Sequence, residues 1–331
     1  MTNHRTRQGR RAMRSAAVQA GSSATTRPRP RAIACIAATF VSLAIGGCGG
    51  GGGGGGVTPP PAFSIAVAGD IGQCFEQPAT PASGPAKTAA LVSPQDAFVL
   101  TLGDNVYEYG TPEEFRDCFD PTWGKFKDRI RPGIGNHETY TAGGAPYFDY
   151  FGAQAGPDHL GYYSFDFGGW HFIMLNGVLD DLSTESPQYK WLAADLANSR
   201  GTLCTIAVFH YPYYNSGAKY GSYPPVRPFY EALYNAGVEM VLSAHDHLYE
   251  RFAPQNANGV AEPGRGVRQF IVGTGGHELN KFGTPLPNSE ARVEGSLGIM
   301  RLTLSEGSYS WSFVPVGGGA ALDSGQDVCH R

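Results

Sequence analysis

Along residues 63–331 the hydrophobic side chains fall in short blocks separated by polar, glycine-rich segments. Residues 63–68, 97–102, 172–175, 203–209, 238–242 and 269–272 are brief, nearly uninterrupted apolar runs. Runs this short, without polar alternation, belong to strands covered on both faces, so they predict the interior of a layered sheet. Helices fit between several of them. Ser186-Pro187 supplies the N-cap and first-turn proline of a helix with Tyr189, Leu192 and Leu196 on one face, and residues 228–235 form another that stops before Gly237. Residues 299–316 alternate around Glu306-Gly307, which predicts a terminal hairpin. The predicted class is α/β with mixed strand direction, in one domain over residues 62–331.

The first part of the chain has a different pattern. Residues 1–47 hold eight arginines and no acid, from Arg5 to Arg31, followed by an apolar stretch from Ala32 to Ile45. A bilayer takes about 20 apolar residues to cross, so this is the pattern of a signal peptide. Ile45-Gly46-Gly47-Cys48 has the form of a bacterial lipobox, which makes Cys48 the lipid-anchoring residue of an exported lipoprotein, held at the periplasmic or cell-surface side of a membrane. The competing expectation is a soluble secreted protein cut near the same place. Gly49 to Gly56 and the prolines at 59–61 then form a tether over residues 48–61. Eight glycines span roughly 16 Å as a random coil.

Composition adds two exclusions. With 41% hydrophobic and 12% aromatic residues, most of the chain is neither disordered nor fibrous. The formal charge is -4, and setting residues 1–47 aside leaves 17 basic against 29 acidic side chains, a net of -12. So acidic a body has no electrostatic footprint for nucleic acid. Beyond Cys35 and Cys48 four cysteines remain, Cys74, Cys118, Cys204 and Cys329. An even number in an exported chain suggests two disulfides, with three connectivities open. No Cys-x-x-Cys pair or Cys/His cluster supports a zinc-thiolate site.

The residues just after the apolar runs carry the chemistry. They are Gly69-Asp70, Gly103-Asp104-Asn105-Val106-Tyr107, Gly135-Asn136-His137-Glu138, His210, and Ala244-His245-Asp246-His247. In open α/β sheets the carboxyl edge of the strands is where ligands bind, so five loops distant in sequence can meet there. Carboxylates and an amide oxygen mixed with imidazoles suit iron, manganese or zinc. One Gly-Asp turn or one histidine is ordinary turn or packing chemistry, but the five blocks in this order are far more specific.

These blocks resemble the calcineurin-like metallophosphoesterases, whose ordered signature is GD, GDxx, GNH, a histidine and GHxH. Tyr107 makes the chain most similar to the purple acid phosphatases of the small, single-domain type, which carry a tyrosine ligand in a GDxxY block. The resemblance spans roughly residues 63–316. It implies a four-layer α/β/β/α sandwich of two mixed sheets with two metals at their carboxyl edge. Carried over block by block, Asp70, Tyr107 and His247 would bind Fe(III), Asp104 would bridge, and Asn136, His210 and His245 would hold a divalent ion, Fe, Zn or Mn. Phenolate and carboxylate suit the trivalent ion, neutral amide and imidazole the divalent one, and tyrosinate to Fe(III) charge transfer would colour the protein. The implied reaction is hydrolysis of a phosphate ester by a metal-activated hydroxide.

His137 would face the substrate as phosphate-stabilising group or general acid; its alternative is a supporting histidine that hydrogen-bonds Asp104 or Asp70. The chain departs from the family's pattern in three places. Ala244 replaces the glycine of GHxH, Glu138 follows GNH where many superfamily members carry Asp, and the loop 215–223 lacks the further histidines some members use to protonate the leaving group. Lys219 as a phosphate contact, Tyr220 as a stacking surface and His277 as a replacement acid are the substrate candidates, set against a solvated turn and a rim histidine. His159, His171 and His330 have no motif context. Substrate selection falls to loops such as 72–86, 139–162 and 211–227, whose aromatic content, including Tyr140, Tyr147, Tyr162, Tyr163, Tyr211, Tyr213 and Tyr214, suits an aryl or nucleoside leaving group or else merely packs loop against sheet. Acid phosphomonoesterase is the first expectation. A phosphodiesterase or nucleotidase with the same site is the second, and a non-catalytic surface binding protein the third.

Overall fold

The computed structural model describes residues 60–73, 78–179, 181–199 and 204–330. The predicted signal peptide, Cys48, nearly all of the predicted tether, and Cys74 lie outside the described residues. Among those described, no helix is long and apolar enough to cross a membrane.

The strands are β1 (Phe63–Ala68), β2 (Asp96–Leu102), β3 (Ile130–Gly133), β4 (Tyr163–Phe167), β5 (Trp170–Met174), β6 (Cys204–Val208), β7 (Met240–Ser243), β8 (Tyr249–Phe252), β9 (Arg268–Val272), β10 (Ser289–Val293), β11 (Gly298–Ser305), β12 (Ser308–Pro315) and β13 (Asp323–Val328). One sheet has the order β13-β12-β11-β1-β2-β3 and the other β10-β8-β9-β7-β6-β5-β4. Parallel pairs run through β1-β2-β3 and β5-β6-β7-β9, and antiparallel strands flank them, so both sheets are mixed.

Strand alternation separates the layers. In β1, Ile65 and Val67 join Leu100, Leu102, Phe172, Met174, Ile206, Val208, Leu242 and Phe270 in the core between the sheets. Ala66 and Ala68 face the other way, onto Phe115, Phe119, Trp123, Tyr147 and Phe151. The outer face of the second sheet packs Ile173, Ala207 and Val241 against Leu192, Phe229 and Leu233 of two helices, Pro187–Asn198 and Arg227–Ala236. The result is the four-layer α/β/β/α sandwich expected, and strands with both faces covered explain the unbroken apolar runs.

The predicted caps are present. Ser186 Oγ accepts the Tyr189 N–H at 3.1 Å, and Gly237 closes the other helix in the left-handed conformation at φ 78°. The hairpin β11-β12 turns at Glu306-Gly307, but it is not terminal, because β13 pairs beyond it. This edge strand, Asp-Ser-Gly-Gln-Asp-Val, is held by charge and covalent bonding. Arg251 donates to Asp323 at 2.8 and 3.1 Å, Arg268 donates to Asp327 at 2.8 Å, and Cys329 is joined to Cys204 at the start of β6. Gly325 is required there, since a Cβ would lie 2.3 Å from Trp311 Cζ2. Cys118 is also disulfide-bonded, to a partner outside the described residues.

Candidate metal centre

β1, β2, β3, β6 and β7 each end within three residues of one of the five chemical blocks, so the two sheets deliver all of them to one edge. Asp70, Asp104 and His245 sit at φ 56°, 49° and 67°, the left-handed region. Non-glycine residues there carry strain of order 1–3 kcal/mol that surrounding structure must hold in place, a cost typical of functional sites. Gly103, at φ 92°, admits His210: a Cβ at that position would lie 2.7 Å from the imidazole Nδ1.

The donors form two groups that share one carboxylate. In the first, the Tyr107 hydroxyl lies 2.8 Å from Asp70 Oδ1 and 3.4 Å from His247 Nε2. In the second, His210 Nε2 lies 3.2 Å from Asn136 Oδ1, and the ligand atoms of Asp104, His210 and His245 lie within 4.8 Å of one another. Asp104 Oδ2 reaches both groups, at 3.1 Å from the Tyr107 hydroxyl and 3.2 Å from His210 Nε2. All seven residues predicted to be ligands therefore converge, and Asp104 is at the junction.

Hydrogen bonds behind the site orient the rings. His210 donates Nδ1–H to the Leu102 carbonyl at 2.9 Å and His247 donates Nδ1–H to the Glu278 carbonyl at 2.8 Å, so in both Nε2 turns inward. Burial and neighbouring histidines push the His245 and His247 imidazoles down to about 3, which keeps them neutral, the form that binds a metal. Burial, reinforced by the Asp104 charge, pushes the Asp70 carboxyl up to about 8. Burial would also raise the Asp104 carboxyl, but His210, whose imidazole is pushed up to about 9 by that same carboxylate against the effect of burial, holds it well below the usual carboxylate range, so without a cation the two form an ion pair. Asp70 Oδ2 is buried without a hydrogen-bond partner. A buried, unsatisfied carboxylate oxygen among inward-facing imidazole nitrogens fits cations at this edge.

His137 has the imidazole Nδ1 bonded to the Glu108 carbonyl at 2.7 Å and its backbone N–H bonded to Asp104 Oδ1 at 2.9 Å. Its Nε2 is 3.9 Å from Asp104 Oδ2, so the ring does not make with that carboxylate the supporting hydrogen bond that was the alternative to a substrate-facing role. The Tyr107 ring lies between His137 and His277, 4.2 Å from each. His277 also packs on His247 at 4.3 Å, which brings it to the site rather than the rim. Tyr220 packs on His245 at 4.3 Å, and the Lys219 ammonium lies over the Tyr220 ring at 4.7 Å. The other histidines are elsewhere: His159 stacks on Phe148, His171 is held by Asp166 and Asp195, and His330 meets the Gly237 carbonyl.

Two of the three departures have structural reasons. Ala244 is fully buried between the sheets opposite Gly69, where an added Cβ would lie 2.5 Å from that of Ala244, so the extra methyl fills space and moves no ligand. Glu138 accepts the backbone N–H groups of Gly135 and Asn105 at 2.7 Å and of Asp104 at 3.0 Å, tying two ligand loops together. Sequence reasoning did not find that role, or those of Tyr140 and Asp246. Tyr140 Oη accepts the Asn136 amide at 2.9 Å, and Asp246 accepts Asn215 and Asn280 at 2.8 Å, fixing the turn that carries His245 and His247. The position of Asp246 between two ligands was its only signal.

Comparison with known proteins agrees with this geometry. The calcineurin-like phosphoesterase family model matches residues 63–249. The chain belongs to that family. It is 32% identical over 285 residues to purple acid phosphatase 22 of Arabidopsis thaliana, covering 77% of this chain and 61% of the relative. Purple acid phosphatase 21 of the same plant is 31% identical over 284 residues, with 76% and 61% covered. The chain thus spans about three-fifths of the length of those relatives. Among solved structures the purple acid phosphatase PPD1 from yellow lupin (Lupinus luteus) seeds superposes with a TM-score of 0.68 at 19% identity, over 83% of this chain and 55% of the lupin chain. GAP50 of Plasmodium gives 0.62 at 15% identity, over 82% and 90%. At such identities the likeness is one of fold.

Proposed function

We propose that this protein is an exported, lipid-anchored phosphomonoesterase with a two-metal centre. The observation that carries the reading is Asp104 Oδ2, within 3.2 Å of donors from both ligand groups. A carboxylate shared in this way suits two adjacent cations, with Asp70, Tyr107 and His247 on one and Asn136, His210 and His245 on the other. The charge balance suits Fe(III) at the phenolate group and divalent Fe, Zn or Mn at the amide and imidazole group. Two such ions, when bound, acidify a water and neutralise phosphoryl oxygens.

The rest is done by the chain. The buried ligands keep a fixed geometry on rigid strand ends. His137, oriented by the Glu108 carbonyl, presents Nε2 3.9 Å from Asp104 Oδ2, where it can hold a proton for the departing alkoxide. Lys219 adds positive charge near the opposite rim, beside Tyr220 and His245. The basic, apolar and lipobox-like order of residues 5–48 supports export and anchoring.

The test is release of phosphate from phosphomonoesters by the metal-loaded protein between pH 4 and 8, with a bis-aryl phosphate in parallel. Hydrolysis of monoesters, lost on chelation and in His137→Ala, supports the proposal. Preference for the bis-aryl phosphate would make the enzyme a diesterase, and binding without turnover would make it a binding protein.

A further inference from the structure

Beside the metal centre a cleft of about 580 Å³ is lined by Tyr211, Tyr223, Leu179, Leu182, Pro225 and Asp181, among others. Tyr211 belongs to both sites. Its ring stands edge-on to His245 at 4.4 Å, and Tyr223 packs on it at 4.3 Å. The cleft therefore begins one ring away from a predicted ligand and continues outward along aromatic and proline surface. Tyr220 covers another side of His245, and both Tyr220 and Leu179 are about two-fifths exposed, 42% and 41%. Of these only Leu179 lines the cleft itself, where tyrosine rings and prolines alternate with polar groups, a mixed concave surface of the kind that holds an organic ligand. The charge at this cleft is negative: Asp181 lines it, and among the described residues no basic side chain does.

We infer that this cleft receives the leaving group of the phosphate ester, and that it selects an uncharged or amine-bearing flat aromatic ring. The inference rests on the phosphoesterase reading only for placing a phosphoryl group at the metal centre. Flat rings gain from the tyrosine faces, and the Asp181 carboxylate accepts from ring N–H groups while repelling a second anion. Small aliphatic alcohols leave the cleft unfilled.

Phenyl phosphonate and methyl phosphonate, which are not hydrolysed, report the cleft independently of turnover. Titrated calorimetrically into the metal-loaded full chain, phenyl phosphonate should bind about tenfold more tightly, the size of one stacking contact with its buried surface. Tyr223→Ala should erase that advantage and leave methyl phosphonate unchanged. Leu179→Arg, on an exposed position that does not test folding, should do the same by filling the cleft. Equal binding of the two phosphonates, or an advantage that survives both substitutions, overturns the inference even if phosphate esters are hydrolysed. A phenyl advantage lost in both variants, in a protein that hydrolyses no ester, upholds the cleft and overturns the phosphoesterase reading.

Discussion

Asn136 donates its side-chain amide to Tyr140 Oη at 2.9 Å, and this one contact decides which end of the amide faces His210. With the nitrogen engaged, the carbonyl oxygen lies 3.2 Å from His210 Nε2, on the side where a cation needs an oxygen donor. Tyr140 is otherwise 57% exposed, with its ring 4.9 Å from that of His137.

Tyr140→Phe should therefore lower affinity for one of the two ions by about tenfold, the lower end of what loss of an orienting partner costs a metal site. Competitive metal titration measures it. An unchanged affinity for both ions would remove Tyr140 from the site.

Glu138 is a structural tie rather than a reacting group. It is fully buried and accepts N–H groups from both the Asp104 and the Asn136 loops. Replacing it with Gln aims an N–H₂ group at backbone donors, so Glu138→Gln should cost about 3 kcal/mol in denaturant unfolding and reduce the metal bound. A variant of wild-type stability would contradict that role.

Much of this was legible in advance. Strands buried on both faces have unmistakable apolar runs, and β1 was predicted to the residue. Six of the seven ligands were readable because each follows such a run, whereas Asn136 follows Ile-Arg-Pro-Gly, too polar to read as a buried strand, and was legible only from its Gly-Asn-His block. The edge strand β13 was not, because its hold on the sheet comes from Arg251, Arg268 and a disulfide instead of an apolar face. Glu138 and Tyr140 were missed as supports for a related reason: each works through hydrogen bonds to loops that only the fold brings near. For His277 the sequence left a replacement acid and a rim histidine both open, and a backbone bond from its N–H to the Asp70 carbonyl at 3.0 Å draws it to the site.

Two groups far from the metals favour stability in acid. Burial opposes protonation of His171, but Asp195 and Asp166, at 2.8 and 2.7 Å, outweigh it and raise the imidazole above its ordinary value. Its contribution is fully present below the unfolded value of about 6.5 and is lost as pH rises through the folded one. Burial pushes Glu239 up to about 7, against the N–H groups of Thr205 and His330. A raised carboxyl costs stability as pH climbs from its unfolded value to that point. Unfolding measured at pH 5.5 and 8.5 should show His171→Gln weakened more at the lower pH than at the higher. An equal loss at both would contradict the charge on His171.

The Cys204–Cys329 bond closes a separation of 125 residues between the two sheets. Replacing both cysteines with serine should cost about 3–5 kcal/mol, in keeping with the entropy of so long a loop. Chemical denaturation of oxidised and doubly substituted protein measures it, and a difference under about 1 kcal/mol would show that the Arg251 and Arg268 contacts hold the edge alone.

The most direct test of the two-metal site is the metal content and visible absorption of the protein loaded with iron, compared with Tyr107→Phe. The account predicts two ions per chain and a broad visible band that disappears with the Tyr107 hydroxyl. A single ion per chain, or a band that survives in Tyr107→Phe, would contradict it.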